Sequence, residues 1–147
     1  ESVLNFMDFV ESVKGKMRGF ANAKIKILVV EDEPSIREIC QQVLTYDGYE
    51  VDIAENGKVA KLMIFEKQYD VCLIDIRMPE VNGKELYRWL RGNHLQAANR
   101  VIFTTGDVMS SDIQDFLRKA TRSFLPKPFT PIELKTIVKE FLKEAER

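Results

Sequence analysis

Cysteine and histidine are scarce in this chain, with two and one among 147 residues. A disulfide scaffold is therefore excluded, and so is a metal centre built from thiolates or clustered imidazoles. Cys40 falls in a helical pattern and Cys72 within an apolar run, so both are expected to be buried, reduced thiols, and the expected compartment is the cytoplasm. Strong charge of either sign is also missing. The formal net charge of −1 gives no global reason to expect a nucleic acid or an anionic membrane surface as partner. No apolar run is long enough to span a bilayer and no charged-then-apolar leader is visible, so membrane insertion of this chain is not expected.

What is present is a regular alternation. From Lys24 onward, short apolar runs alternate with amphipathic stretches. Strands are expected at Ile25 to Val30, Tyr49 to Ala54, Val71 to Ile74, Val101 to Thr104 and Ser123 to Leu125. The first helix is expected to open at Pro34, to place Ile36, Ile39, Cys40, Val43 and Leu44 inward, to leave Arg37, Glu38 and Gln41 outside, and to stop at Gly48. Further helices are expected near Lys58 to Phe65, Gly83 to Leu90 and Asp112 to Lys119. The fifth opens on Thr130-Pro131-Ile132-Glu133, a capping box with proline at the first helical position, and turns Ile137, Val138, Phe141 and Leu142 inward.

Five strands alternating with five helices imply a parallel sheet covered on both faces. The continuous apolar runs ILVV, VCLI and VIF agree, because strands buried on both sides do not alternate. The fold class expected is α/β, a flavodoxin-like doubly wound sheet. Its strand order 2-1-3-4-5 is the commonest solution for five such units, although order is not itself legible in one sequence.

Ligands of doubly wound sheets bind just outside the carboxyl ends of the strands. There the sequence places Glu31 and Asp32 after the first strand, Asp75 after the third, Thr105 at the end of the fourth and Lys127 after the fifth. Taken singly, each has a plain explanation: an acid capping the next helix, a turn threonine, a solvated lysine. Together they form one chemistry. Clustered carboxylates raise one another's pKa unless a cation sits among them, and oxygen donors favour a hard ion such as Mg²⁺. A carboxylate in such a site is a competent nucleophile toward phosphorus, and a lysine and a hydroxyl are suited to the phosphoryl oxygens.

The stretches ILVVEDEP, DVCLIDIRMPEVNGKEL, VIFTTGD and FLPKPF resemble, in order and spacing, the motifs of response-regulator receiver domains, chemotaxis-regulator-like modules of two-component systems. The resemblance covers roughly residues 24 to 145. It implies that Asp75 is the phosphoacceptor and that Glu31, Asp32, Asp75 and the backbone carbonyl of Arg77 hold Mg²⁺. Thr105 and Lys127 would engage the phosphoryl oxygens, and the Lys127–Pro128 bond would be cis. Thr105 and Phe124 would be the switch pair, the alternative for Phe124 being a plain core residue. Met78 and Pro79 would form the loop after the acceptor, with Gly83 the turn before the third helix and Gly106 leaving room for the phosphoryl group. Arg77 and Asp107 are expected to pair over the pocket and slow dephosphorylation, the alternative being two solvated charges.

By the same resemblance the chain is a phosphoacceptor rather than an enzyme. It would take phosphoryl from a histidine kinase or histidine phosphotransfer domain, and the surface expected to respond is the fourth helix, fifth strand and fifth helix. A homodimer through that surface or through the N-terminal helix is a further expectation. No helix-turn-helix is visible, so direct DNA binding is not expected. Residues 1–23 are expected to be an N-terminal amphipathic helix or linker before a receiver domain at 24–147. There Val3, Phe6, Val10, Val13, Met17 and Phe20 make a short heptad seam, weakened by Gly15 and Gly19. Two placements stay open: a stand-alone regulator, or the C-terminal receiver of a hybrid histidine kinase. His94 lies in a loop and is expected to be a surface residue. A flavin carrier would need a hydroxyl- and glycine-rich loop where Glu31, Asp32 and Glu33 stand. A phosphatase with an aspartyl nucleophile would need an aspartate at position 33, which is glutamate.

Overall fold

The computed structural model describes residues 6–10, 24–120 and 122–145. Its centre is a five-stranded, all-parallel sheet of order β2-β1-β3-β4-β5. The strands are β1 (Lys26–Val30), β2 (Glu50–Ala54), β3 (Val71–Asp75), β4 (Val101–Thr105) and β5 (Ser123–Pro126). The helices that link them are α1 (Pro34–Tyr46), α2 (Gly57–Glu66), α3 (Gly83–Asn93), α4 (Ser111–Ala120) and, after β5, α5 (Pro131–Ala145).

The three central strands carry apolar side chains on both faces, and each face builds its own core. One joins Leu28, Val30, Cys72, Ile74 and Phe103 to Ala60 and Ile64 of α2, Leu86 and Leu90 of α3 and Ile113 of α4. The other joins Ile27, Val29, Val71, Leu73 and Ile102 to Cys40 and Leu44 of α1 and Leu134 and Val138 of α5. Every residue of β3 and β4 is buried, which is why these runs do not alternate. Both cysteines are buried and free, and burial pushes each thiol up to about 12.

Local signals fix the helix ends. Gly48 stops α1 in the left-handed region at φ 93°. At the start of α5 the Thr130 N–H donates to Glu133 Oε1 at 2.9 Å, and the Glu133 N–H donates to Thr130 Oγ1 at 3.1 Å. Asn56 and Asn82 cap α2 and α3 by accepting from the N–H groups of Val59 and Glu85.

Four expectations are corrected. Among the described residues a helical stretch at 6–10 falls where a helix or linker is expected, and one beyond the five expected occurs at Leu95–Ala98. The second is a single turn in which His94 Nδ1 accepts from the Ala97 N–H at 3.2 Å, so His94 is a helix cap rather than a plain surface residue. Ile39 does not join the inner stripe of α1; it is 44% exposed, because Cys40 and Leu44 already fill the face against the sheet. Arg37 is half-buried rather than outside, for a reason given below. The heptad seam in residues 1–23 lies outside the described residues, apart from the helical stretch 6–10. Among the described residues, no helix is long and apolar enough to cross a membrane.

Candidate functional site

Parallel strands all end on the same rim, and the register brings the polar residues together there. Val30 of β1 lies opposite Ile74 of β3, so the residues that follow, Glu31 and Asp75, emerge side by side. Asp75 lies opposite Thr104 of β4, and Thr105 opposite Pro126 of β5, the residue before Lys127. Glu31, Asp32 and Asp75 each offer a carboxylate oxygen within 4.8 Å of the others. Glu31 and Asp75 are 2% and 3% exposed, whereas Asp32 is half-buried at the opening.

Lys127 closes this group from the β5 side. Its ammonium stands 2.5 Å from Glu31 Oε1, 3.1 Å from Asp75 Oδ2 and 3.7 Å from Glu33 Oε1. Its peptide bond to Pro128 is cis. Burial alone would pull the ammonium down, but the bonds to Glu31 and Asp75 and their charges outweigh it and hold it above its ordinary value. Burial drives the Glu31 carboxyl from 4.5 up to about 8; the bond from Lys127 opposes the rise and the charge of Asp75 adds to it.

The remaining polar atoms are aimed by the backbone. The Arg77 N–H donates to Asp75 Oδ1 at 3.1 Å, which fixes the acid's rotation. The Asp107 N–H donates to Thr105 Oγ1 at 3.1 Å, so the fully buried hydroxyl keeps its own proton free to donate. The Lys127 N–H donates to the Thr105 carbonyl at 2.9 Å, tying the tips of β4 and β5 together. Arg77 Nη2 and Asp107 Oδ2 pair at 2.6 Å, joining the loops that follow β3 and β4. Phe124 lies opposite Phe103 and is half-buried against the core on the α2–α4 face.

Two supports were not foreseen. Arg37 turns back from α1, and its Nη1 donates to the carbonyls of Glu31 at 3.1 Å and Asp32 at 2.9 Å, which braces the acidic loop. Gly83 is required sterically rather than as a turn: a Cβ there would collide with the carbonyl of Asp75 and with Ile76. Gly106 is less constrained, since a Cβ would meet only the Lys127 side chain at 3.8 Å. The loop between holds Met78 buried and reverses at Glu80, in the left-handed region at φ 63°.

The donor set fits a hard divalent cation. All three side-chain donors are carboxylate oxygens, and a cation among them would offset the burial and the charge of Asp75 that oppose ionisation of Glu31.

A sheet of this order with an acidic cluster at the tips of β1 and β3 defines a CheY-like receiver fold. Residues 27–139 match the response regulator receiver domain family, and the chain belongs to that family. The transcriptional regulatory protein ResD of Bacillus subtilis is 35% identical over 120 residues, which are 82% of this chain and 49% of that protein. The chain thus spans about half the length of the curated relatives it matches. The signal receiver domain of a signal transduction histidine kinase from Syntrophus aciditrophicus superposes with a TM-score of 0.75 at 28% identity, covering 83% of this chain and 92% of that one. The response regulator protein TrrA from Thermotoga maritima, solved in complex with Mg(2+)-BeF, superposes with a TM-score of 0.70 at 36% identity, covering 80% and 99%.

Proposed function

We propose that Asp75 accepts a phosphoryl group from the phosphohistidine of a histidine kinase or phosphotransfer domain, with Mg²⁺ held by Glu31, Asp32, Asp75 and the backbone carbonyl of Arg77. The observation that carries this reading is the meeting of three carboxylates within 4.8 Å beside a half-buried lysine 3.1 Å from one of them. When bound, Mg²⁺ supplies positive charge against the oxygens of the transferring group.

The chain's own residues do the rest. A carboxylate oxygen of Asp75 attacks phosphorus, the P–N bond to the donor imidazole breaks with its electron pair going to nitrogen, and an acyl phosphate forms. Arg77 N–H holds the other oxygen in place. Lys127 can follow the incoming charge from Asp75 to a phosphoryl oxygen, and Thr105 can donate its free proton to another. Drawing Thr105 inward leaves space next to β5 for Phe124, so α4, β5 and α5 form the responding surface. Changing a mostly inactive population into a mostly active one takes about 5.5 kcal/mol, an amount that a few charge-assisted bonds supply.

In this reading each chain takes one phosphoryl group, so it acts as a relay component rather than an enzyme. A homodimer through α4, β5 and α5 fits the same scheme, and the two buried free thiols support a cytoplasmic setting. The likeness to a histidine kinase receiver supports placement in a hybrid kinase, while the likeness to ResD supports a regulator of about twice this length.

The test is intact mass after incubation with Mg²⁺ and acetyl phosphate. The wild-type chain gains one phosphoryl mass, and Asp75→Asn or removal of the metal with a chelator abolishes the gain. Labelling that survives in Asp75→Asn would overturn the assignment.

A further inference from the structure

A groove of about 670 Å³ separates α3 from α4, on the same face of the sheet as α2. Its rim is cationic. Lys84, Arg88 and Arg91 recur along one side of α3, and Lys119 and Arg122 line the opposite side. At about 1.5 Å per residue, the α3 row extends over roughly 10 Å. Among the described residues, Arg88, Arg91 and Lys119 take part in no ion pair. The groove carries two carboxylates, and one of them, Asp115, is already held by Arg118 at 2.6 Å. The groove thus holds five basic residues against two acidic ones in a chain whose net charge is −1.

The floor is aromatic. Tyr87 and Phe116 meet edge to face at 5.9 Å, and each packs on Phe103 of β4, at 5.2 Å and 5.1 Å. The Lys84 ammonium lies 5.8 Å from the centre of the Phe116 ring.

We propose that this groove docks an acidic segment of a partner protein, with carboxylates spaced along the α3 row and an apolar side chain reaching the Phe116 edge. The layout favours this occupant over other anions. A compact phosphate-like ligand needs donors converging on one point, whereas these cations are spread along both walls of the groove. A single-stranded nucleic acid needs open aromatic faces to stack on, but Tyr87 is 6% exposed and packed against Phe103 and Phe116, and Asp112 would repel phosphates. A peptide meets Asp112 with its own amides or cations and loses little. The site is separate from Asp75 and stands whether or not Asp75 accepts phosphoryl.

The test is fluorescence anisotropy with a fluorescein-labelled peptide of alternating glutamate and alanine carrying one central leucine. Its controls are a lysine–alanine peptide of the same length and a labelled thymidine oligonucleotide. The acidic peptide binds saturably and more weakly as salt rises, and the basic peptide does not bind. Arg88→Glu with Arg91→Glu weakens binding about tenfold or more, while Asp75→Asn leaves it unchanged. An unshifted urea midpoint and an unchanged circular dichroism spectrum check that the charge-reversed chain is folded; the milder pair Arg88→Gln, Arg91→Gln replaces it if it is not. Absence of saturable binding, equal affinity in the folded variant, or equally tight binding of the oligonucleotide would each overturn the proposal.

Discussion

Lys127 and Glu31 meet at 2.5 Å on the rim of the sheet, and the same ammonium reaches Asp75 at 3.1 Å. It is the cation through which two buried acids are tolerated side by side. Lys127→Met should therefore cost about 3 kcal/mol at neutral pH without divalent ions, because the acids are left uncompensated. Urea denaturation with and without Mg²⁺ measures this. Added Mg²⁺ should stabilise the variant more than the wild type, and equal gains in both would show that Lys127 is not the compensating charge.

Arg77 and Asp107 form a 2.6 Å pair between two loops, with side chains 60% and 44% exposed. Pairs this open contribute little to stability, so their effect should be seen in kinetics. Alanine at both positions should shorten the half-life of the phosphorylated chain about threefold, followed by intact mass after the donor is removed. An unchanged half-life would reduce the pair to a surface contact.

Gly83 and Gly106 should respond differently to alanine. At Gly83 the added methyl meets the Asp75 backbone, and relief requires α3 to shift, at a cost of about 1–3 kcal/mol. The Asp75 carboxylate shifts with it, so labelling by acetyl phosphate should slow as well. At Gly106 the methyl makes ordinary contact and the denaturation midpoint should hardly move.

On the edge strand β2, Asp52 accepts from Tyr69 at 2.7 Å and from Lys67 at 2.9 Å. Burial would raise its carboxyl, but these two bonds outweigh it and hold the group below its ordinary 3.8. The folded state thus binds this proton less readily than the unfolded state. The stabilisation is fully present above 3.8 and is lost as pH falls through the lower folded value. The stability gap between wild type and Asp52→Asn, on the order of 1 kcal/mol near neutrality, should close on acidification. A gap that stays constant down to acid unfolding would contradict the assignment.

The parts of this fold that were legible beforehand are those governed by local rules. Uninterrupted apolar runs marked the buried strands, Pro34 and Gly48 bounded α1, and the Thr130–Glu133 box opened α5. The acids, the threonine and the lysine were legible because each directly follows or ends a strand, and the fold class says where strand ends meet. What was missed depends on contacts between distant segments. Arg37 sits at a position that a helical wheel turns outward, and only the path of the preceding loop draws it back. The collision that makes Gly83 necessary arises from β3, not from its neighbours in sequence. The turn at Leu95–Ala98 is too short for any periodicity, and its cap is an imidazole rather than a hydroxyl or carboxylate.

The alignment of Val30 with Ile74 has a consequence for quality control. Side chains alternate along a strand, so a slip of one residue between β1 and β3 would turn Glu31 and Asp75 to opposite sides of the sheet. A misassembled chain would then part the carboxylates of the candidate site while keeping much of its apolar interior. Competence to receive a signal is in this way conditional on the central seam having closed in the correct frame.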